Sequence, residues 1–135
     1  MFKRQDIDLL AGIFQKYPVI EAVYLFGSSA TGKVRVDSDI DLAIVAQDET
    51  IKDKKLLILS DLAREGFCNV DLVFMDTDDI VLQYEAVRQN ALIYQKPEFD
   101  RGSMYSRIVR RYLDFYPYLT IQREAYKKRI MHGKA

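Results

Sequence analysis

Two short groups of residues carry side chains suited to binding a phosphate and a metal ion: Gly27-Ser28, and Asp39 with Asp41. A glycine lets backbone amides approach phosphate oxygens without a Cβ in the way, and the serine adds a hydroxyl donor. Two carboxylates two positions apart on a strand project from the same face, and hard cations such as Mg²⁺ require such oxygen ligands. The pattern predicts a site that holds metal ions against a triphosphate.

A third acid, Asp71, lies within the apolar run of residues 70–75. A carboxylate is costly to bury unless it is paired or bound to a cation, so we predict that Asp71 belongs to the same metal site. Two metal ions about 3.5–4 Å apart would stabilise the attacking and leaving oxygens of an in-line displacement at an α-phosphate. Asp71 would then be a metal ligand and a candidate general base. The alternative is an edge-strand residue that faces solvent.

Four apolar runs rich in β-branched and aromatic residues predict the strands that position these groups. The first strand ends directly before Gly27, the second has Asp39 and Asp41 at its start, and the third contains Asp71. A short fourth run closes the predicted sheet. In chain order the predicted strands cover residues 19–26, 40–45, 70–75 and 92–94.

Three amphipathic patterns predict helices between the strands. The first covers residues 7–17 and stops at Pro18, and the second covers 51–62, with Gly66 in a C-cap position. A third helix follows the acids at 76, 78 and 79, which suit a helix N-terminus, and runs to about residue 90. This order predicts an α/β or α+β domain with a small mixed sheet flanked by helices.

The chain beyond Pro97 differs in composition from the rest, because arginine, lysine and tyrosine dominate it. It predicts one long helix, bent near Pro117. We interpret residues 1–96 as the core and residues 97–135 as a C-terminal helical extension of the same domain. The extension could pack on the core, contact RNA or bind a protein partner; arginine and aromatic enrichment favours the partner.

Composition limits the class of protein. With 135 residues and 20 basic against 20 acidic side chains, the chain suits one globular domain, and its neutrality does not favour a dedicated DNA binder. Cys68 is the single cysteine, so neither an internal disulfide nor a cysteine-based zinc site can form. The sequence has neither a signal-peptide pattern nor a membrane-spanning run. We therefore expect a cytoplasmic protein without membrane association.

The motif resembles that of the nucleotidyltransferase superfamily of DNA polymerase β type: Gly-Ser, a short spacer, Asp-x-Asp, and a third acid on a later strand. In this sequence the motif is Gly27-Ser28, then Asp39-Ile40-Asp41, then Asp71. The spacer length is typical of minimal nucleotidyltransferases, the MNT or MntA-like antitoxins of HEPN-domain RNase toxins. Ser29 and Thr31 replace basic residues that many relatives carry, and Lys33 and Arg35 are candidates to compensate.

This resemblance implies a polymerase β-like fold and an enzyme that uses two Mg²⁺ ions to transfer AMP from ATP to a tyrosine of its toxin. It implies that Asp39, Asp41 and Asp71 bind metal and that Gly27, Ser28, Ser29 and Lys33 bind the nucleotide. One alternative is a non-catalytic antitoxin that neutralises the toxin by binding. Another is a small-molecule nucleotidyltransferase of the aminoglycoside type, although about 40 residues after Pro97 leave little room for its acceptor domain.

Overall fold

A mixed four-stranded sheet forms the centre of the structure. The computed structural model describes residues 4–27 and 40–132, with side chains described except at 120 and 126–132. The strands lie in the order β3-β2-β1-β4, with β1 antiparallel to both β2 and β4, and β2 parallel to β3. Their bounds are β1 Ile20–Phe26, β2 Ile40–Ala46, β3 Val70–Phe74 and β4 Ala91–Gln95. The predicted mixed sheet and its four strands are confirmed.

Four α-helices accompany the sheet in the described part of the chain: α1 Arg4–Gln15, α2 Lys55–Arg64, α3 Ile80–Val87 and α4 Arg101–His132. A 3₁₀ helix, Glu49–Lys54, leads directly into α2, so the single helix predicted over 51–62 is two elements. Asp48 starts the 3₁₀ helix by accepting a hydrogen bond from the Thr50 amide at 2.9 Å. This local cap favours the tighter first turns.

Alternation along the strands divides the core into two layers. Leu42 and Ile44 point to the layer that contains α1 and α2, while Ala43 and Val45 point to the other layer, where Ile108 of α4 is buried. Strands with apolar residues on both faces need a helical cover on each side. Within the described residues the sheet is therefore buried between two helical layers, with β3 and β4 as its edge strands.

Helix boundaries follow from local capping. Gly66 takes a positive φ of 96° after α2, where the Phe67 amide donates to the Leu62 carbonyl at 2.9 Å, as the predicted C-cap requires. Asp79 caps α3 by accepting from the Leu82 amide at 3.1 Å. The acids before α3 thus act at a helix N-terminus, as their position indicated.

The C-terminal helix α4 continues through Pro117 as one element. It packs against α3, where the rings of Tyr84 and Tyr112 stack with centroids 3.8 Å apart. A proline inside a helix removes one hydrogen bond but does not always end the helix. No helix within residues 4–27 and 40–132 is both long and apolar enough to span a membrane.

Candidate active site

Gly27 ends β1 in a conformation that other residues rarely adopt. Its φ is 68°, and a Cβ placed on it would lie 2.4 Å from Oδ2 of Asp41. Two independent reasons therefore require glycine here: the left-handed backbone and the space that the carboxylate occupies. The turn after β1 is shaped around Asp41.

Asp41 and Asp71 are neighbours across the parallel β2–β3 ladder, where they form a register pair. Parallel neighbours lie on the same face of a sheet about 4.8 Å apart, so both carboxylates project to the side of the sheet that α3 and α4 cover. Like charges side by side on a ladder are unfavourable in the absence of a cation. The pair therefore fits a divalent cation, for which the two carboxylates offer oxygen ligands.

The structure corrects the argument that Asp71 must be buried. β3 is an edge strand, and Asp71 is exposed while Asp41 is half-buried. The cost of burial cannot explain the acid, and the alternative of a solvent-facing edge residue describes its exposure correctly. The register with Asp41, which the apolar run could not reveal, is what places Asp71 at the site.

The remaining predicted site residues are Asp39, Ser28, Ser29 and Lys33, and they lie outside the described residues. Their roles stay predictions. Within the described ranges no group of three or more histidine, cysteine or acidic side chains is arranged to hold a metal ion. The structure thus brings together Gly27, Asp41 and Asp71 from the predicted set, and a third carboxylate would have to come from Asp39.

A cleft of about 670 Å³ lies at the opposite end of the sheet, and no sequence pattern predicted it. It is lined by the ends of β2 and β3, by the start of α4, and by several acids, among them Asp48, Asp76 and Asp100. The five residue steps along β2 from Asp41 to Ala46 separate the cleft from Asp41 by about 17 Å. This cleft is a second candidate position for the site, so the contacts of its acids decide between the two ends of the sheet.

Three acids of this cleft, Asp48, Asp76 and Asp100, have structural partners. The Thr50 hydroxyl, and after it the Thr50 amide, hold the pKa of Asp48 below its usual value. The amide and then the hydroxyl of Ser103 lower the pKa of Asp100 in the same way, at 3.0 and 2.7 Å. Asp76 pairs with Lys52 at 3.3 Å. Because these acids cap helices and form an ion pair, we place the chemistry at the Gly27 end.

A mixed sheet that carries a glycine turn beside paired carboxylates defines a nucleotidyltransferase-type site. The family model described as "Polymerase beta, Nucleotidyltransferase" matches residues 8–99. The chain belongs to this family, and its membership confirms the resemblance that the motif indicated.

Two curated relatives are named protein adenylyltransferase MntA. The relative from Aphanizomenon flos-aquae is 26% identical over 106 residues, covering 70% of this chain and 71% of the relative. The relative from Shewanella oneidensis is 27% identical over 118 residues, covering 87% of this chain and 81% of the relative.

Solved structures confirm the fold. A toxin–antitoxin crystal structure with AMP-PNP has a chain that superposes with a TM-score of 0.72 at 24% identity, covering 93% of this chain and 98% of that one. A tri-AMPylated Shewanella oneidensis HEPN toxin in complex with its MNT antitoxin gives a TM-score of 0.68 at 21% identity, with 96% and 99% covered. The similarity extends over the long C-terminal helix as well as the sheet, since nearly all of each chain is covered.

Proposed function

We propose that this chain is a Mg²⁺-dependent protein adenylyltransferase that transfers AMP from ATP to a tyrosine of a HEPN-domain RNase toxin, and so acts as a cytoplasmic antitoxin. The observation that carries the proposal is the packing of Gly27 against Asp41, with Asp71 beside it in register. The family supports nucleotide transfer, and the names of the two relatives support adenylyl transfer to a protein.

Each predicted residue has a role in this reaction. Gly27 and Ser28, with Ser29 and Lys33, would bind the phosphates of ATP, while Asp39, Asp41 and Asp71 would hold two Mg²⁺ ions. The bound metal would stabilise negative charge on the phosphate oxygens. The acceptor oxygen forms a bond to the α-phosphorus as the bond to the pyrophosphate oxygen breaks, and Asp71 accepts the acceptor's proton.

The exposure of Asp71 supports a macromolecular acceptor. This candidate base lies on an edge strand that is open to solvent, so a tyrosine on another protein can approach it without entering a deep pocket. Protein modification therefore fits the site better than small-molecule modification.

The second candidate is a non-catalytic antitoxin with the same fold. A protein that only binds does not require a glycine packed against a carboxylate, nor two acids in register.

We also propose that the extension of residues 97–135 belongs to the same domain as the core of residues 1–96. Ile108 of α4 is buried together with the sheet residues Tyr24 and Ala43, which supports a single domain.

The test is incubation with MgCl₂ and ATP, with and without the HEPN-domain protein encoded beside the gene, followed by intact-mass spectrometry of both proteins. The proposal expects the partner to gain mass in whole AMP units only when ATP and Mg²⁺ are both present. A stable complex without any mass gain would favour the non-catalytic antitoxin. A mass gain on an aminoglycoside in place of the partner would favour the small-molecule enzyme.

A further inference from the structure

The outer face of α4 exposes large apolar side chains next to arginines. Leu113, Tyr118 and Ile121 are 61%, 63% and 65% exposed, and Arg107 and Arg110 precede them on the helix. At 100° per residue these five side chains fall within an arc of about 140°, roughly opposite the buried Ile108. We call Arg107, Arg110, Leu113, Tyr118 and Ile121 the outer face of α4.

Neither arginine of the outer face forms an ion pair within the described residues, although Arg107 lines the acidic cleft and Asp114 lies four positions after Arg110. Arg107 and Arg110 take part in none of the ion pairs or hydrogen bonds formed there, whereas the exposed Arg88 pairs with Glu85 at 3.4 Å. Like charges three or four positions apart on a helix are mutually unfavourable. The arginines and the neighbouring apolar patch thus call for a partner that supplies both carboxylates and apolar contacts.

We propose that the outer face of α4 is the surface that holds the acceptor protein, and that this protein presents an acidic patch opposite Arg107 and Arg110 and an apolar patch opposite Leu113, Tyr118 and Ile121. The inference rests on the proposed function for the identity of the acceptor. Arginine and tyrosine beside aliphatic residues are typical of the residues that dominate binding energy in protein interfaces.

A protein fits this face better than RNA or a second copy of the chain. Aromatic and arginine side chains also bind single-stranded RNA, but the aliphatic Leu113 and Ile121 give bases no ring to stack on. A second copy packed in parallel would place arginines against arginines, and an antiparallel copy in register would place them against Tyr118 and Ile121. An acidic and apolar partner satisfies both halves of the face.

The outer face is remote from the acid pair. Arg107 lines the cleft with Val45 and Met75, at the far ends of β2 and β3, whereas Asp41 and Asp71 lie near the starts of these strands. About 17 Å of β2 separates the two positions. Docking and AMP transfer therefore use different residues, and a substitution in one should leave the other intact.

Calorimetric titration with the HEPN-domain protein encoded beside the gene tests this inference. The double variants Arg107→Gln/Arg110→Gln and Tyr118→Ser/Ile121→Ser should each raise the Kd by about thirtyfold or more. The matched controls are Lys54→Gln/Lys55→Gln and Leu56→Ser, which change exposed residues at and near the start of α2 on the opposite side of the sheet. They should change the Kd less than about threefold.

Three further measurements separate the explanations. The outer-face variants and their controls should match the unmodified chain in ATP affinity and in thermal unfolding. Such a match would show that the fold and the nucleotide site persist. Asp41→Asn should keep its affinity for the partner while it loses transfer. Raising the salt concentration should weaken binding by the unmodified chain more than binding by Arg107→Gln/Arg110→Gln.

The inference is wrong if the outer-face variants bind the partner as tightly as the controls do. It is also wrong if these variants lose only self-association in sedimentation, or only binding of an RNA oligonucleotide, with partner affinity kept. Complex formation that depends on the outer face, without any AMP transfer, would contradict the proposed function and leave the docking surface standing. A HEPN-domain protein that does not bind the unmodified chain overturns both.

Discussion

The two ends of the central sheet differ in how their polar groups are satisfied. At one end Gly27 takes a positive φ of 68° and packs against Asp41, and Asp41 lies in register beside Asp71. At the other end, polar contacts tie neighbouring elements together: Lys52 bonds Asp76, Lys96 bonds the Pro18 carbonyl, and Gln83 bonds the Met75 carbonyl.

This difference indicates which end does chemistry. Two carboxylates in register on neighbouring strands oppose folding, so their presence at this end indicates a role other than stability. The far end provides that stability through ordinary caps and bridges. Acids at the far end should therefore matter for folding, and acids at the Gly27 end should matter for transfer.

The largest expected effect is that of Asp41→Asn. Removing this charge should lower the rate of AMP transfer by about a thousandfold, because metal binding supplies several kcal/mol of charge stabilisation. The matched control is Asp76→Asn, which removes an exposed acid at the far end and should change the rate less than about twofold. Single-turnover kinetics measures both. Equal rate losses in the two variants would remove the distinction between the ends.

Gly27→Ala should follow, with a loss of transfer of about a hundredfold. Its new Cβ would displace the Asp41 carboxylate, and misplacement of a reacting group by about 1 Å costs about this factor. Gly66→Ala is the control, because Gly66 also has a positive φ but has no other atom within 4 Å of its Cβ position.

Both alanine variants should lose about 1–2 kcal/mol of unfolding free energy from the left-handed backbone. Only Gly27→Ala should also lose activity, as compared by urea denaturation and transfer assays on the same samples. If Gly66→Ala loses as much activity, the effect at Gly27 would be one of stability and not of contact with Asp41.

Much of the fold could be predicted from the sequence, because the apolar runs and glycine positions are local signals. The four strands were placed within two residues of their ends, since each apolar run stops at a turn residue. The paired position of Asp41 and Asp71 could not be predicted, because strand order depends on long-range packing. For the same reason the sequence could not show that Asp71 lies exposed on an edge strand.

The C-terminal helix could be predicted as well. The sequence indicates one long helix after Pro97, bent near Pro117, and α4 continues through Pro117 as a single helix. The site was predicted by residue type, and Gly27, Asp41 and Asp71 do lie together. The contact between Gly27 and Asp41 had no sequence signal, since it depends on the exact antiparallel register of β1 and β2.

Tyr17→Phe tests a stabilising contact outside the Gly27 end. The Tyr17 hydroxyl donates to Oδ2 of Asp61 at 2.5 Å, and burial, then this bond, raises the pKa of Tyr17 to about 12 from 10.0. The variant should lose about 1.5–3 kcal/mol of unfolding free energy, as expected for a hydrogen bond to a charged group. AMP transfer should be unaffected at temperatures where the variant stays folded.

The raised pKa of Tyr17 predicts that the unfolding free energy depends on pH. A raised folded-state pKa favours the neutral phenol in the folded protein, so its contribution is full below about pH 10 and is lost between about pH 10 and pH 12. The stability difference between the unmodified chain and Tyr17→Phe, from urea denaturation, should shrink over this window. A difference that stays constant would show that the phenol is not tied to Asp61.

The smallest effect is expected for Tyr24→Phe. Tyr24 is fully buried, burial raises its pKa, and its hydroxyl has no hydrogen-bond partner among the described residues. Removing an unsatisfied hydroxyl should leave the unfolding free energy unchanged or raise it by up to about 1 kcal/mol. A loss as large as that of Tyr17→Phe would show that Tyr24 has a partner in solution.

The position of the bound metal tests most directly whether the Gly27 end of the sheet is the active site. Crystals grown with Mn²⁺ and a non-hydrolysable ATP analogue would locate the ion by its anomalous scattering. If Asp41 and Asp71 bind the metal, an anomalous peak should lie at their carboxylates and should disappear in Asp41→Asn. A peak confined to the acidic cleft beside Asp48 and Asp76, at the other end of the sheet, would contradict an active site at the Gly27 end.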